Sequence, residues 1–404
     1  MSDWKQVKLG EVAEIQNGYA FKSKDLKDSR GVPVIKIKNI ASGKLLVADL
    51  MYYDKPIDNL SKFIIKKNDI LIAMTGSHVN QPSSMVGKTS RYNLVKMALL
   101  NQRVGKIYSL DINELDEDFL YFFLIQDNIR YELALNAGGS ANQANISPTL
   151  IKSLDFLLPP ISEQKVIASV LSSLDDKIDL LQRENKTLEA LAETLFRQWF
   201  VEEAEEEWKE KPITELFEIR DGTHDSPKQN NVGKPLLTSK HILNNRLDIE
   251  NAYLISEDDF ENVNKRSKVE KNDILFSMIG TIGLVYLEQS TKIDYCIKNI
   301  GLFKTSQNPK WTYFTYLWLK SSLGQEFIYE NRSGSTQEYI SLGSLRSIVF
   351  NIPQINVIES FNKVVEPLFN KLRNNISQIC TLEKYRDTLL PKLMSGEVRV
   401  DFKN

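Results

Sequence analysis

The chain has 404 residues, enough for two to three domains with cores of their own. Its 42% hydrophobic and 26% charged content is ordinary for a globular protein, and no apolar run approaches the ~18 residues of a membrane span. The net charge of −2 hides a gradient: residues 1–110 carry 18 Lys/Arg against 9 Asp/Glu, residues 161–207 carry 5 against 12, and residues 208–305 carry 14 against 15. A basic end beside an acidic stalk is the footprint expected of phosphate binding at one end.

Cys296 and Cys380 are the only cysteines, and His78, His224 and His241 are scattered, so neither a disulfide framework nor a zinc site is expected. Met-Ser-Asp-Trp-Lys does not read as a signal peptide, and a cytoplasmic location is expected.

Along the chain, the same phrases occur twice. Asp3-Trp4-Lys5 returns as Glu207-Trp208-Lys209, Glu14-Ile15-Gln16-Asn17-Gly18 as Glu218-Ile219-Arg220-Asp221-Gly222, and Lys67-Asn68-Asp69-Ile70-Leu71 as Lys271-Asn272-Asp273-Ile274-Leu275, all 204 residues on. Gly139-Ser140 and Phe156-Leu157-Leu158-Pro159 return at offsets of 195 and 194. A repeat of this length is a duplicated domain with its connector, not a solenoid unit of ~20–50 residues. Within each copy, runs such as Val32-Pro33-Val34-Ile35 and Ile70-Leu71-Ile72-Ala73, bounded by Gly, Asn and Asp, read as strands. Phe119, Phe122, Phe123, Ile125 and Ile129 share a helical face. Asn142, Gln143, Thr336 and Gln337 read as turn-formers.

After Pro160 a long helix begins, with Leu171, Leu174, Ile178, Leu181, Asn185, Leu188, Ala192, Leu195 and Trp199 alternating by three and four. This is a heptad seam in which the buried Asn185 sets register. Beyond Pro353 the matching seam is Val365, Leu368, Leu372, Asn375, Ile379, Leu382, Arg386, Leu389 and Leu393, with Pro367 expected to kink the helix or mark its start. A helix of roughly 40 residues spans about 60 Å, which suits a spacer. Glu163, Asp175 and Asp176 are expected on the helix surface, solvated. The domains expected are 1–160 and 207–354, with helical segments at 161–206 and 355–404.

Catalytic signatures are missing. Val86-Gly87-Lys88-Thr89 lacks the first glycine of a phosphate loop, because Pro82 stands in its place. There is no dinucleotide fingerprint, HExxH, CxxC or hydrolase triad order. The chain is expected not to be an enzyme and to hold no metal.

Leu158-Pro159-Pro160-Ile161-Ser162-Glu163-Gln164, Leu195-Phe196-Arg197-Gln198-Trp199-Phe200, the tail Leu393-Met394-Ser395-Gly396-Glu397-Val398-Arg399-Val400, and the phrases Asp221-Gly222-Thr223-His224 and Thr238-Ser239-Lys240-His241-Ile242 resemble the specificity subunit of type I restriction-modification systems. The resemblance covers essentially the whole chain. It implies an α/β fold of two mixed target recognition domains, joined by two long antiparallel coiled-coil helices in a pseudo-twofold repeat. It also implies that each domain reads one half of a bipartite double-stranded DNA target while the helices set the spacer. The partners implied are methyltransferase subunits, two in number, and restriction/translocase subunits reached through the assembled complex. S-adenosylmethionine, ATP and magnesium would belong to those partners, which methylate adenine and cleave DNA.

Base reading needs polar side chains on loops. Residues 75–91 supply Ser77, His78, Asn80, Gln81, Lys88 and Arg91, and the two halves differ in length there. Lys24, Lys38 and Asn39 are matched by the second-half positions Lys228, Lys240 and His241, and Lys22 and Lys36 by Ser226 and Thr238, with Thr223, His224, Ser239, Lys265, Arg266 and Lys268 as further candidates. These are the candidate DNA contacts, the lysines for phosphates and the loop residues for bases. Competing expectations are a modification-only or type II-like assembly, a coiled-coil protein adapter, and a standalone methyltransferase or nuclease.

Overall fold

The computed structural model describes residues 4–77, 84–140 and 143–400. They form two compact units, Met1–Ile178 with Thr381–Asn404, and Asp179–Cys380. Each unit therefore combines one copy of the repeated domain with parts of both long helices, which the chain-order segments expected from sequence do not convey.

In the first unit, Lys5–Lys8 pairs antiparallel with Asp155–Leu158 and brings the ends of the domain together. The main sheet runs in the order Thr89–Arg91, Ile70–Ala73, Val104–Ser109, Ala13–Asn17, every pairing antiparallel. The run Ile70-Leu71-Ile72-Ala73 is buried on both faces, as a continuous apolar strand must be. Ile70 and Ile72 meet Phe119, Phe122 and Ile151 from the helices Glu117–Leu124 and Pro148–Lys152. Leu71 and Ala73 face a separate cluster with Ile40 and with Ile35 and Leu100 of a second sheet, in which Val32–Ile35 and Ala98–Leu100 run parallel.

The second unit repeats this plan. Lys209–Pro212 pairs with Val349–Ile352, and the main sheet runs Ile219–Asp221, Ile300–Phe303, Ile274–Ser277, Val285–Leu287. Lys234–Leu237 lies parallel to Cys296–Ile297. The repeated Lys-Asn-Asp-Ile phrase has a local cause. Asn68 and Asn272 sit at φ 77° and 74°, a left-handed conformation that Asn tolerates. The next residue, Asp69 or Asp273, accepts the backbone N–H of Lys66 or Glu270 at 2.8 Å and closes the turn. One stretch differs in kind: the first unit has a 3₁₀ segment Asp58–Phe63, and the second an α-helix Glu257–Ser267 begun by Ser256.

The long helices are Ile161–Arg197 and Ile355–Met394. Every seam position expected from sequence, from Leu171 to Leu393, is buried or half-buried. In the first unit Asp175 meets Arg386 and Glu163 meets Arg399; in the second Asn185 meets Asn375 and Phe196 meets Phe361. In the second unit numbers rise on one helix as they fall on the other, so the pairing there is antiparallel; in the first, Arg399 belongs to the tail beyond Met394.

Two expectations are corrected. Pro367 does not mark the start of its helix, which begins at Ile355. Phe361, Val365 and Phe369 are packed in the core on both sides of the proline, and that packing offsets the lost hydrogen bond of about 3 kcal/mol. Glu163 is not solvated: it is 2% exposed, accepts Trp4 Nε1 at 3.0 Å and pairs with Arg399 at 2.6 Å. Asp175 is likewise held by Arg386 at 2.9 Å, and its burial raises its pKa above the usual carboxylate value. Only Asp176 is exposed as expected. Among the described residues, no helix is long and apolar enough to cross a membrane.

Candidate nucleic-acid interface

In the first unit, Lys22 and Lys24 are exposed at the 3₁₀ turn Ser23–Asp25, and Lys38 is exposed on the turn Ile37–Asn39, 3.8 Å from Asp49. Lys36 is half-buried, and desolvation with the neighbouring Lys38 lowers its pKa. Asn39 is a correction. It is 1% exposed, accepts the Lys36 N–H at 3.0 Å and donates to the Leu46 carbonyl at 3.0 Å, so it builds the turn that carries Lys38.

His78, Asn80 and Gln81 lie outside the described residues. Ser77 accepts through its carbonyl from Ser84 Oγ at 2.6 Å. Lys88 and Arg91 point inward rather than out. Lys88 is half-buried against Met85, and burial followed by the charge of Arg130 lowers its pKa. Arg91 pairs with Asp118 at 2.5 Å and lies over the Tyr121 ring at 4.2 Å.

In the second unit, Lys228, Lys240, Lys265 and Lys268 are exposed. His241 repeats the structural role of Asn39: 1% exposed, its Nδ1 accepts the Thr238 N–H at 2.8 Å. Burial, then the charge of Lys240, lowers its pKa and favours the neutral ring.

Thr223, His224, Ser239 and Arg266, distant in sequence, converge. Asp221 is 3% exposed and binds His224 Nε2 through one oxygen at 2.9 Å and Arg266 through the other. His224 Nδ1 lies 2.7 Å from Asn299 Oδ1, and Ser239 Oγ donates to the Asn299 carbonyl at 3.2 Å. Lys298 donates to Ser226, beside Thr223 and His224. Lys298 and Asn299 were missed from sequence. The signal available was a short polar interruption between the apolar strands Cys296–Ile297 and Ile300–Phe303. The same position in the first half holds Asn101-Gln102-Arg103. This geometry, a guanidinium and an imidazole held on a buried carboxylate with the Asn299 amide against the imidazole, suits hydrogen bonding to phosphates and base edges.

The family described as "Type I restriction modification DNA specificity domain" matches residues 1–190 and again 205–379. The chain belongs to the type I restriction-modification specificity family. It is 23% identical over 427 residues to the type I restriction enzyme MjaIX specificity subunit of Methanocaldococcus jannaschii, covering 99% of this chain and 94% of that one. It is 24% identical to the EcoBI specificity subunit of Escherichia coli, covering 98% and 89%. The crystal structure of a type I restriction-modification S subunit from M. genitalium matches its fold with a TM-score of 0.60 at 18% identity, covering 99% and 97%. The two family matches fall on the two copies of the repeated domain, so the specificity family accounts for the duplication as well as for the long helices.

Proposed function

We propose that this specificity-family chain is the non-catalytic DNA-reading subunit of a type I restriction-modification complex. Each unit reads one half of a bipartite duplex target. The long helices set the unread spacer and dock methyltransferase subunits, two of them, through which restriction/translocase subunits join. S-adenosylmethionine, ATP and magnesium belong to those partners, which carry out adenine methylation and ATP-dependent cleavage.

The observation that carries this reading is the duplication of one scaffold with different polar loops on each copy. A duplicated reader with identical loops would recognise a symmetric target; different loops suit an asymmetric one. Helices of 37 and 40 residues at 1.5 Å per residue are long enough to skip more than one turn of duplex at 3.4 Å per base pair.

The test is to reconstitute the chain with its methyltransferase subunits and sequence the methylated adenines, alongside binding at several salt concentrations. Methylation confined to a split sequence, with affinity falling steeply as salt rises, is the expected result. Equal binding to all duplexes would sink the reading, and methylation by the purified chain alone would show that it is an enzyme.

A further inference from the structure

We propose that the loops joining two crossing strands in each unit, residues 101–103 and 298–299, together with the turns they rest on, are specificity-determining. Gln102 and Arg103 would read bases in one half of the target, and His224, Lys298 and Asn299 in the other. The proposal rests on the DNA-reading function above and says which atoms perform it.

The two units share one backbone arrangement here. Gly18 and Gly222 pass so close to the neighbouring strand that a Cβ would lie 2.2 Å from the Asn101 carbonyl oxygen and 2.5 Å from that of Ile297. Any other residue would push the strands apart. The following residues, Tyr19 and Thr223, donate to the Leu100 and Ile297 carbonyls at 2.8 and 3.1 Å. Their own carbonyls accept Gln102 N–H at 2.9 Å and Asn299 N–H at 3.2 Å. Both loops are thus clamped at the same point on the same frame.

The side chains on that frame are unlike. The first unit presents Gln102 and Arg103, both exposed, beside Tyr19, which is 40% exposed and in edge contact with Phe21 at 4.9 Å. The second has a loop shorter by one residue and presents the polar cluster of His224, Lys298 and Asn299. Asp221 acts there as a positioning residue, since its buried carboxylate holds both His224 and Arg266. A rigid frame with exchangeable amides and cations is what discrimination between base edges requires, because a misplaced donor costs affinity for every sequence alike. A plain surface connection between strands has no need of a buried carboxylate orienting an imidazole and a guanidinium.

The experiment uses the full complex with its methyltransferase subunits and maps methylated sites for four variants: Gln102→Ala, Arg103→Ala, Asn299→Ala and Asp221→Asn. Folding of each is checked by its urea transition. The expected result is a loss of base preference of roughly tenfold or more in one half-target for Gln102→Ala and Arg103→Ala. Asn299→Ala and Asp221→Asn should do the same in the other half, while in each variant the half-target read by the other unit keeps its preference. Folded variants that keep both half-targets, or lose both equally, would overturn the assignment while leaving the DNA-reading function standing. A wild-type complex without sequence preference would overturn both.

Discussion

Asn375 Nδ2 donates to Asn185 Oδ1 at 2.9 Å, with both side chains buried in the second unit and Glu184 accepting from the same nitrogen at 2.9 Å. An apolar seam can slide by a heptad at little cost, but this pair is satisfied in one register only. Asn375→Ala leaves the Asn185 oxygen without its donor and should cost about 1–3 kcal/mol. Replacing both residues with Leu should cost less than the two single changes together, at the expense of a unique register. Urea unfolding of the four members of the mutant cycle measures this, and additive effects would show that the two amides are not coupled.

Asp273 and Lys304, each next to a strand of the second unit's main sheet, form a buried ion pair, 0% and 3% exposed at 2.6 Å, with Glu270 at 2.8 Å as a second partner. Asp273→Ala removes the turn closure and leaves a buried ammonium with Glu270 and the Lys268 carbonyl as its remaining partners, so a loss of about 2–3 kcal/mol is expected. The repeat-related Asp69→Ala should cost less, about 1 kcal/mol, because its partner Lys106 is 22% exposed and can reach water. Paired denaturation curves of the two variants test the difference; equal losses would contradict it.

His241 gives stability a pH dependence that its counterpart Asn39 does not. Its folded pKa lies below the ordinary 6.5, from burial and then Lys240, against smaller opposing effects that include Asp248. Between the two pKa values the unfolded chain binds the extra proton, so stability falls as pH drops below about 6.5 and is fully present above it. His241→Asn should keep the turn, as Asn39 does, and flatten this slope. Denaturation midpoints from pH 7.5 to 5 would reveal it, and an unchanged slope would count against the assignment.

Arg91 was expected to touch DNA, but its guanidinium is engaged by Asp118 and the Tyr121 ring. Arg91→Ala should therefore cost about 1 kcal/mol of stability while the methylated sequence stays the same. A changed half-target would restore it as a reader.

Adding seven residues to the exposed middle of the Ile161–Arg197 helix preserves the seam and lengthens the helix by about 10 Å. The reconstituted complex should then methylate the same half-sites with a longer spacer, as read by sequencing. An unaltered spacer would end the role of the helices as a ruler.

Much of this molecule was legible from residue order. The duplicated phrases follow from local backbone demands, such as left-handed Asn68 and Asn272 and the close approach at Gly18 and Gly222. The heptad seams follow from helix period. Less legible were the roles of individual polar residues. Asn39 and His241 look like surface contacts in the sequence, yet each turns its side chain back onto its own turn. Glu163 looks solvated, but Trp4 and Arg399, 159 residues before it and 236 after it, enclose it.

By itself the sequence determined the repeated α/β plan and the two long helices, because periodicity, turn chemistry and glycine placement act over a few residues. Tertiary structure decided which polar groups meet. Arg266 reaches Asp221, and Asn299 reaches His224, only once strands far apart in the chain are paired, and a hydrogen bond depends on ångström-scale placement that residue order does not encode.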